Sequence, residues 1–334
     1  MRTLVSALVL MLCAAAFAED HAVILLYHHV SDDTPPSTSI SPARFSAHLE
    51  YLSDHQFKVV ALEEIIARLR SGHPLPENAV AITFDDGYQS VLTHAAPELK
   101  RRNFPFTVFV NPSYVKNGGI YLNWQELREI QALGSNVQNH GYRHTRLAFP
   151  ARGETPNHWK ERAVEEITRG QREIAQHLGQ QSTLFAYPYG EFSPELAQLV
   201  IDLGLTGLGQ QSGAVGYLSN LGGLPRHPFY TGADHIERFA ERINTRPLLI
   251  SPRPEGPLQV SYDARIPLHL NQVMPGTQCF FDGRPISDLI PSQPQVQRYE
   301  LGPFPKRRTK LNCTRPDANG NFYWWSYLFI REEP

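Results

Sequence analysis

Several things are missing from this 334-residue chain. After the N-terminus no run is long and apolar enough to cross a bilayer, which leaves no internal membrane span. Charge of one sign is missing too. Lys and Arg number 31 against 33 Asp and Glu, a formal net charge of -2, and that balance argues against nucleic acid or an anionic membrane surface as the main partner. There is no internal repeat, no low-complexity segment and no His-Glu-x-x-His, so a zincin-type peptidase is disfavoured. Cysteine is scarce, with three residues in the whole chain.

What is present begins with an export pattern. Arg2 opens an apolar stretch from Leu4 to Phe17, and Ala16-Phe17-Ala18 gives a small-x-small cleavage site before Glu19. Residues 1–18 are therefore expected to be a signal peptide and the protein to be exported, periplasmic or extracellular, with a retained anchor as the outcome if cleavage fails. Cys13 lies inside that segment, and Leu12 before it argues against a lipoprotein site. Cys279 and Cys313 remain. In an oxidising compartment they are expected to pair as a disulfide, the alternative being two buried free thiols.

From residue 19 to about 245, short apolar runs alternate with amphipathic helical segments. Ala22–Tyr27, Phe57–Val60, Ala79–Phe84, Phe104–Val110, Asn136–Asn139 and Thr183–Tyr187 read as strands. Ser41-Pro42 and Ser193-Pro194 each give an N-cap followed by proline at the first helical position, and Gly179 and Gly204 close helices. This alternation predicts an α/β fold with parallel strands, either a barrel or an open sheet. From residue 246 to 334 prolines crowd in and helical periodicity stops. Gln259–Tyr262, Ile266–Leu270, Gln278–Phe281 and Phe322–Ile330 predict a small all-β accessory domain.

Two motifs carry chemistry. Thr83-Phe84-Asp85-Asp86-Gly87-Tyr88 ends a buried strand in adjacent carboxylates and a turn-permitting glycine. In parallel α/β folds catalytic groups gather at the carboxyl ends of strands, and paired carboxylates need a cation or a shared proton to relieve their repulsion. Alone, an Asp-Asp-Gly turn is common surface chemistry. Asn139-His140-Gly141-Tyr142-Arg143-His144 follows another strand and sets two imidazoles four residues apart, close enough to bind one ion. With a carboxylate from a second strand end they make a His-His-Asp face with open positions for water and substrate.

Asp-Asp-Gly, then His-x-x-x-His, then Phe185-Ala186-Tyr187-Pro188-Tyr189-Gly190 resemble the polysaccharide deacetylases, carbohydrate esterase family 4, over roughly residues 22 to 245. The resemblance implies a distorted (β/α) barrel with one bound divalent ion, zinc first and cobalt or nickel as alternatives. It implies Asp86, His140 and His144 as metal ligands, Asp85 as general base, and the Tyr189 backbone N–H as donor to the oxyanion. The general acid departs from the common family pattern. Leu224-Pro225-Arg226-His227-Pro228 matches the usual Leu-x-His poorly, whereas Leu26-Tyr27-His28-His29-Val30 resembles the poly-β-1,6-N-acetylglucosamine deacetylases. His28 is the expected acid, His227 the alternative, and His29 is expected to point the other way along the strand. The arginine that commonly orients the base is missing from the third motif. Arg226 is expected to substitute for it on Asp85, with a surface salt bridge as the bland alternative.

His21, His48, His55, His94, His158 and His177 lack motifs and are expected at the surface or half-buried. Trp124, Trp159 and Tyr323-Trp324-Trp325 could stack on sugars beside the loop from Thr145 to His158. Core packing is the commoner role of such residues, and is expected for at least one of Trp324 and Trp325. The function these features imply is metal-dependent removal of N-acetyl groups from a polysaccharide, poly-β-1,6-N-acetylglucosamine first. Chitin, peptidoglycan or acetylxylan are alternatives, as is a glycan-binding protein with a retired site. An exported metallo-amidase acting on peptides has no supporting motif.

Overall fold

A computed structural model describes residues 20–115, 119–250, 258–293 and 295–331; the segment expected to be a signal peptide lies outside them. Seven parallel strands of a nine-stranded sheet form a curled ring: β1 (His21–Tyr27), β2 (Ala79–Phe84), β3 (Phe106–Val110), β4 (Ser135–Asn139), β5 (Leu184–Ala186), β6 (Thr206–Leu208) and β7 (His227–Pro228). They neighbour one another in that order, with β1 and β2 in register from Ala22↔Ala79 to Tyr27↔Phe84. The segment from Leu224 to Pro228 closes the circle. Leu208 bridges Leu224 on one side, while Leu25 and Leu26 pair with His227 and Pro228 on the other. The result is a distorted (β/α) barrel.

Helices α1 (Pro42–Asp54), α2 (Leu62–Ser71), α3 (Ala96–Arg101), α4 (Trp124–Ala132), α5 (Pro156–Leu178), α6 (Pro194–Asp202) and α7 (Ile236–Ile243) accompany it. Because helices cover the sheet, β1 and β2 are apolar and buried almost throughout rather than alternating. The Ser41 and Ser193 side chains accept from Arg44 N–H and Leu196 N–H, and Gly179 ends α5 at φ 65°. His48 departs from its expected surface position. It is fully buried on α1, between the Tyr27 hydroxyl at 3.0 Å and the Asp234 carbonyl at 2.9 Å. Two polar partners compensate its burial. Among the described residues no helix is long and apolar enough to cross a membrane.

The C-terminal region is mostly strand: β8 (Leu258–Val260), β9 (Ile266–Asn271), β10 (Gln278–Phe281), β11 (Arg284–Ile286), β12 (Val296–Leu301), β13 (Arg308–Pro316) and β14 (Phe322–Arg331). Arg246 and Pro247 already pair with β14, and β13 lies between β14 and β10. Trp325, Phe329, Leu270 and Tyr299 share its core. Cys279 and Cys313, directly opposite across β10 and β13, form a disulfide with Cα atoms 4.0 Å apart. It closes a loop of sequence separation 34, for which chain entropy gives about 3–4 kcal/mol. The double variant Cys279→Ala/Cys313→Ala is expected to lose roughly that amount in this region, read by denaturant unfolding; a loss near zero would mean the sheet alone holds the two strands.

Candidate active site

Strand ends on one rim of the barrel bring four site residues together. β2 delivers Asp85, whose N–H donates to the Tyr27 carbonyl at 3.0 Å, and then Asp86 at φ 71°. That left-handed conformation is uncommon outside glycine, and it turns Asp86 out of the strand line. β4 delivers His140, whose N–H donates to the Val110 carbonyl at 3.0 Å. The loop to His144 is held by buried amides. Asn111 donates to the His140 and Gly141 carbonyls at 2.5 and 3.0 Å, and Asn139 accepts from Gly141 N–H at 2.9 Å while donating to Ile167 O at 2.8 Å. Gly170 on α5 makes room for that Asn139. A Cβ there would stand 2.3 Å from its Oδ1, so the glycine's helical cost is the condition of this contact.

Asp86 Oδ1 lies 3.4 Å from Nε2 of both His140 and His144, and one ligand atom from each of the three lies within 4.8 Å of the others. His140 Nδ1 sits 2.8 Å from the Ala186 carbonyl. A carbonyl only accepts, so Nδ1 carries the proton and the Nε2 lone pair faces Asp86 and His144. That Nε2 is buried and without a hydrogen-bond partner. An orphaned buried acceptor beside a carboxylate and a second imidazole is the donor set a divalent ion fills, so the residues fit a metal.

Asp85 is not part of that triad. It is fully buried and gripped by Arg226, equally buried, through Nη1–Oδ1 at 2.7 Å and Nη2–Oδ2 at 2.8 Å. Arg226 also donates to the Gly209 carbonyl at 2.8 Å and to Thr83 Oγ1 at 3.2 Å. Burial pushes the Asp85 carboxyl up, but Arg226 and His140 outweigh it, and the group is held below the usual carboxylate range. In Asp86 burial is likewise overcome, by His140, His28 and His144. His144 is pushed down to about 4, by burial first and then by His140.

His28 belongs to the same charge cluster. Burial lowers it, the Asp86 and Asp85 carboxylates oppose that, and Arg226 and His140 reinforce it. His29 faces elsewhere, its ring stacked 3.5 Å from that of Tyr88. His227 lies away from the cluster: its Nε2 meets Thr245 Oγ1 at 3.0 Å and its ring stands edge-on to Trp324. Strand alternation explains the outcome, since Arg226 points into the rim and its neighbour must point out. The structure therefore does not bring His227 to the two aspartates. Tyr189, at φ 61°, sets its ring 4.4 Å from that of His144. Trp159 is buried with its Nε1 on the Leu147 carbonyl, and Trp124 stacks on His177 between α4 and α5; both serve packing.

Some neighbours escaped the sequence reading. Tyr88 stacks toward Tyr121 at 5.1 Å and Tyr121 on Tyr114 at 5.0 Å, and all three feel the Asp86 charge. Tyr88 directly follows Asp-Asp-Gly, the one signal that pointed to it.

Residues 72–208 match the family model for polysaccharide deacetylase. YxkH of Bacillus subtilis (strain 168) is 26% identical over 172 residues, 52% of this chain and 58% of that protein. The poly-beta-1,6-N-acetyl-D-glucosamine N-deacetylase of Escherichia coli (strain K12) is 26% identical over 269 residues, 67% of this chain and 38% of the relative. This chain thus spans less than two thirds of either. Among solved structures, IcaB from Ammonifex degensii superposes with a TM-score of 0.58 at 26% identity, covering 67% of this chain and 97% of that one. The Streptococcus pyogenes deacetylase PplD, at TM-score 0.60 and 20% identity, covers 67% and 99% and shares the fold.

Proposed function

Starting from a chain whose residues 72–208 match the polysaccharide deacetylase family model, we propose that it is an exported, metal-dependent de-N-acetylase of N-acetylglucosamine-containing polysaccharide, with poly-β-1,6-N-acetylglucosamine as the first substrate. The observation that carries this reading is the pairing of two adjacent aspartates with different environments. Asp86 faces two imidazoles, and Asp85 is locked on a buried arginine. Two carboxylates driven into separate roles by their surroundings are the mark of acid–base machinery. The chain divides in this reading at 245/246, with the β-rich part as an accessory domain.

Asp86, His140 and His144 would hold the divalent ion, zinc first, cobalt or nickel also suiting the donors. Such an ion supplies Lewis acidity to the acetyl carbonyl and makes a water easier to deprotonate. Asp85, kept charged by Arg226, takes the proton from the water whose oxygen bonds to the acetyl carbon. The Tyr189 backbone N–H donates to the oxyanion as the carbonyl becomes tetrahedral. His28, within the field of both carboxylates, delivers a proton to the departing amine, and acetate and a free amine leave. Similarity to the Escherichia coli poly-beta-1,6-N-acetyl-D-glucosamine N-deacetylase favours the 1,6-linked substrate over chitin, peptidoglycan or acetylxylan.

The test is acetate release from 1,6-linked N-acetylglucosamine oligomers and from chitin oligomers by chelator-stripped and zinc-reloaded protein. Stripping is expected to abolish release and reloading to restore it, with the 1,6-linked oligomers turned over faster. Release from chitin alone would keep the chemistry and replace the substrate. Metal binding without release from any acetylated glycan would sink the reading in favour of a glycan-binding protein.

A further inference from the structure

The turn that carries Tyr189 is strained and closely packed. Tyr189 and Gly190 take successive left-handed conformations, φ 61° and 69°. A left-handed non-glycine residue persists only where its surroundings over-determine it. On the barrel side, Tyr187 N–H donates to Leu208 O at 3.0 Å and Gly190 N–H to Tyr187 O at 2.7 Å. Gly190 lies directly on Gln210, where a Cβ would meet the Gln210 Cβ at 2.5 Å and its backbone N at 2.8 Å.

The other side of the turn is held from the C-terminal region, more than a hundred residues later. Arg308 donates to the Tyr189 carbonyl, and to Gln210 Oε1 at 3.2 Å. Lys310 donates to the Gln210 carbonyl at 2.7 Å. Arg307 grips Glu191 in a bidentate pair at 3.0 and 2.9 Å, and Glu191 is 1% exposed. Arg146 completes the arrangement, 3.6 Å from Glu191 and 3.9 Å over the Tyr189 ring. A peptide carbonyl on one side of the turn, a buried carboxylate on the other and the backbone behind it are therefore all taken by cations of one strand and its leading residue.

We propose that Arg307 and the first residues of β13 are a positioning clamp on the Pro188-Tyr189-Gly190 turn, so that the C-terminal β region helps set the aim of the Tyr189 N–H. This rests on the reading that this N–H meets the oxyanion. Fixing the Tyr189 carbonyl restrains ψ of the very residue whose N–H must donate, and fixing Glu191 restrains the exit of the turn. Donor placement within about 0.5 Å separates an effective site from a loose one.

The test uses metal-loaded full chain with Arg308→Ala, Arg308→Lys and, as a control, Lys306→Ala, since Lys306 pairs with Asp282 at 2.9 Å within the β region. Losing an oxyanion donor outright costs about 10²–10³ in kcat, and a misdirected one is expected to cost roughly tenfold to a hundredfold. In Arg308→Ala, kcat should fall by that factor with KM and bound metal unchanged, Arg308→Lys should recover part of it, and Lys306→Ala should match the parent. An unchanged kcat, a loss confined to KM, or an equal loss in Lys306→Ala overturns the clamp. Hydrogen exchange over residues 187–191 is read in parallel, and faster exchange in Arg308→Ala is expected. If the parent protein releases no acetate from any glycan, the functional reading fails while the exchange result still decides the clamp, unchanged exchange overturning it.

Discussion

Asp85→Asn is expected to lower kcat for acetate release by about 10²–10⁴-fold, the usual range for a positioned general base. KM and metal content should change little, because Asp85 stands outside the triad of Asp86, His140 and His144. The amide keeps the shape of the carboxylate and can still accept from Arg226, but it cannot take a proton at neutral pH. A thermal melt must accompany the rates, since the variant leaves a fully buried guanidinium without its counter-charge. Asp86→Ala makes the contrast, because metal and activity should then go together. An Asp85→Asn enzyme with near-parental kcat would remove Asp85 from the mechanism.

Arg226→Met should act on both stability and the pH profile. Removing one partner of a buried pair costs about 3–5 kcal/mol, and here neither side chain is exposed. In the parent, burial raises the Asp85 carboxyl and Arg226 more than compensates, so its pKa lies below the unfolded value. A depressed carboxyl stabilises the folded state above its unfolded pKa of about 3.9 and loses that contribution as pH falls through the folded pKa. The variant leaves burial in command, so the acid limb of kcat/KM should move to higher pH. The stability gap between parent and variant should narrow as pH falls from the variant's raised limb toward the parent's depressed one. Rates and denaturant unfolding across pH 3–8, a window spanning the usual carboxylate range, would read both. An acid limb that stays in place would mean that another group governs it.

The site was legible where chemistry is contiguous. Asp85 and Asp86 end one strand and His140 follows another, so a local pattern placed three of them on one rim, and His144 came with the His-x-x-x-His spacing. Arg226 and His227 were harder. Both follow Leu224-Pro225 in the sequence, and only the pairing of Leu25 with His227 decides which of two neighbours faces inward. A one-residue slip would exchange them. His28 and His29 posed the same problem, with the stack of His29 on Tyr88 as the deciding contact.

The barrel itself followed from alternating strands and capped helices, but short strands such as Thr206–Leu208 left no period to read. In the C-terminal region β13 went unnoticed although it is nine residues long. Its inward positions Thr309, Leu311 and Cys313 include a single aliphatic residue, which leaves no apolar alternation to read. Arg308 and Lys310 on the other face meet the barrel across 119 and 100 residues of chain, a distance over which local pattern carries no signal.

The seam between β6 and β1 has one more implication. Residues 224–228 are the last part of the barrel to emerge in synthesis, and Arg226 sits among them, after both aspartates and both histidines. Until that segment is seated between Leu208 and Leu25, Asp85 lies in an incomplete barrel without its guanidinium. In the mechanism proposed above, competence for proton abstraction is thereby tied to completion of the ring, and a chain with an open seam would be a disarmed one.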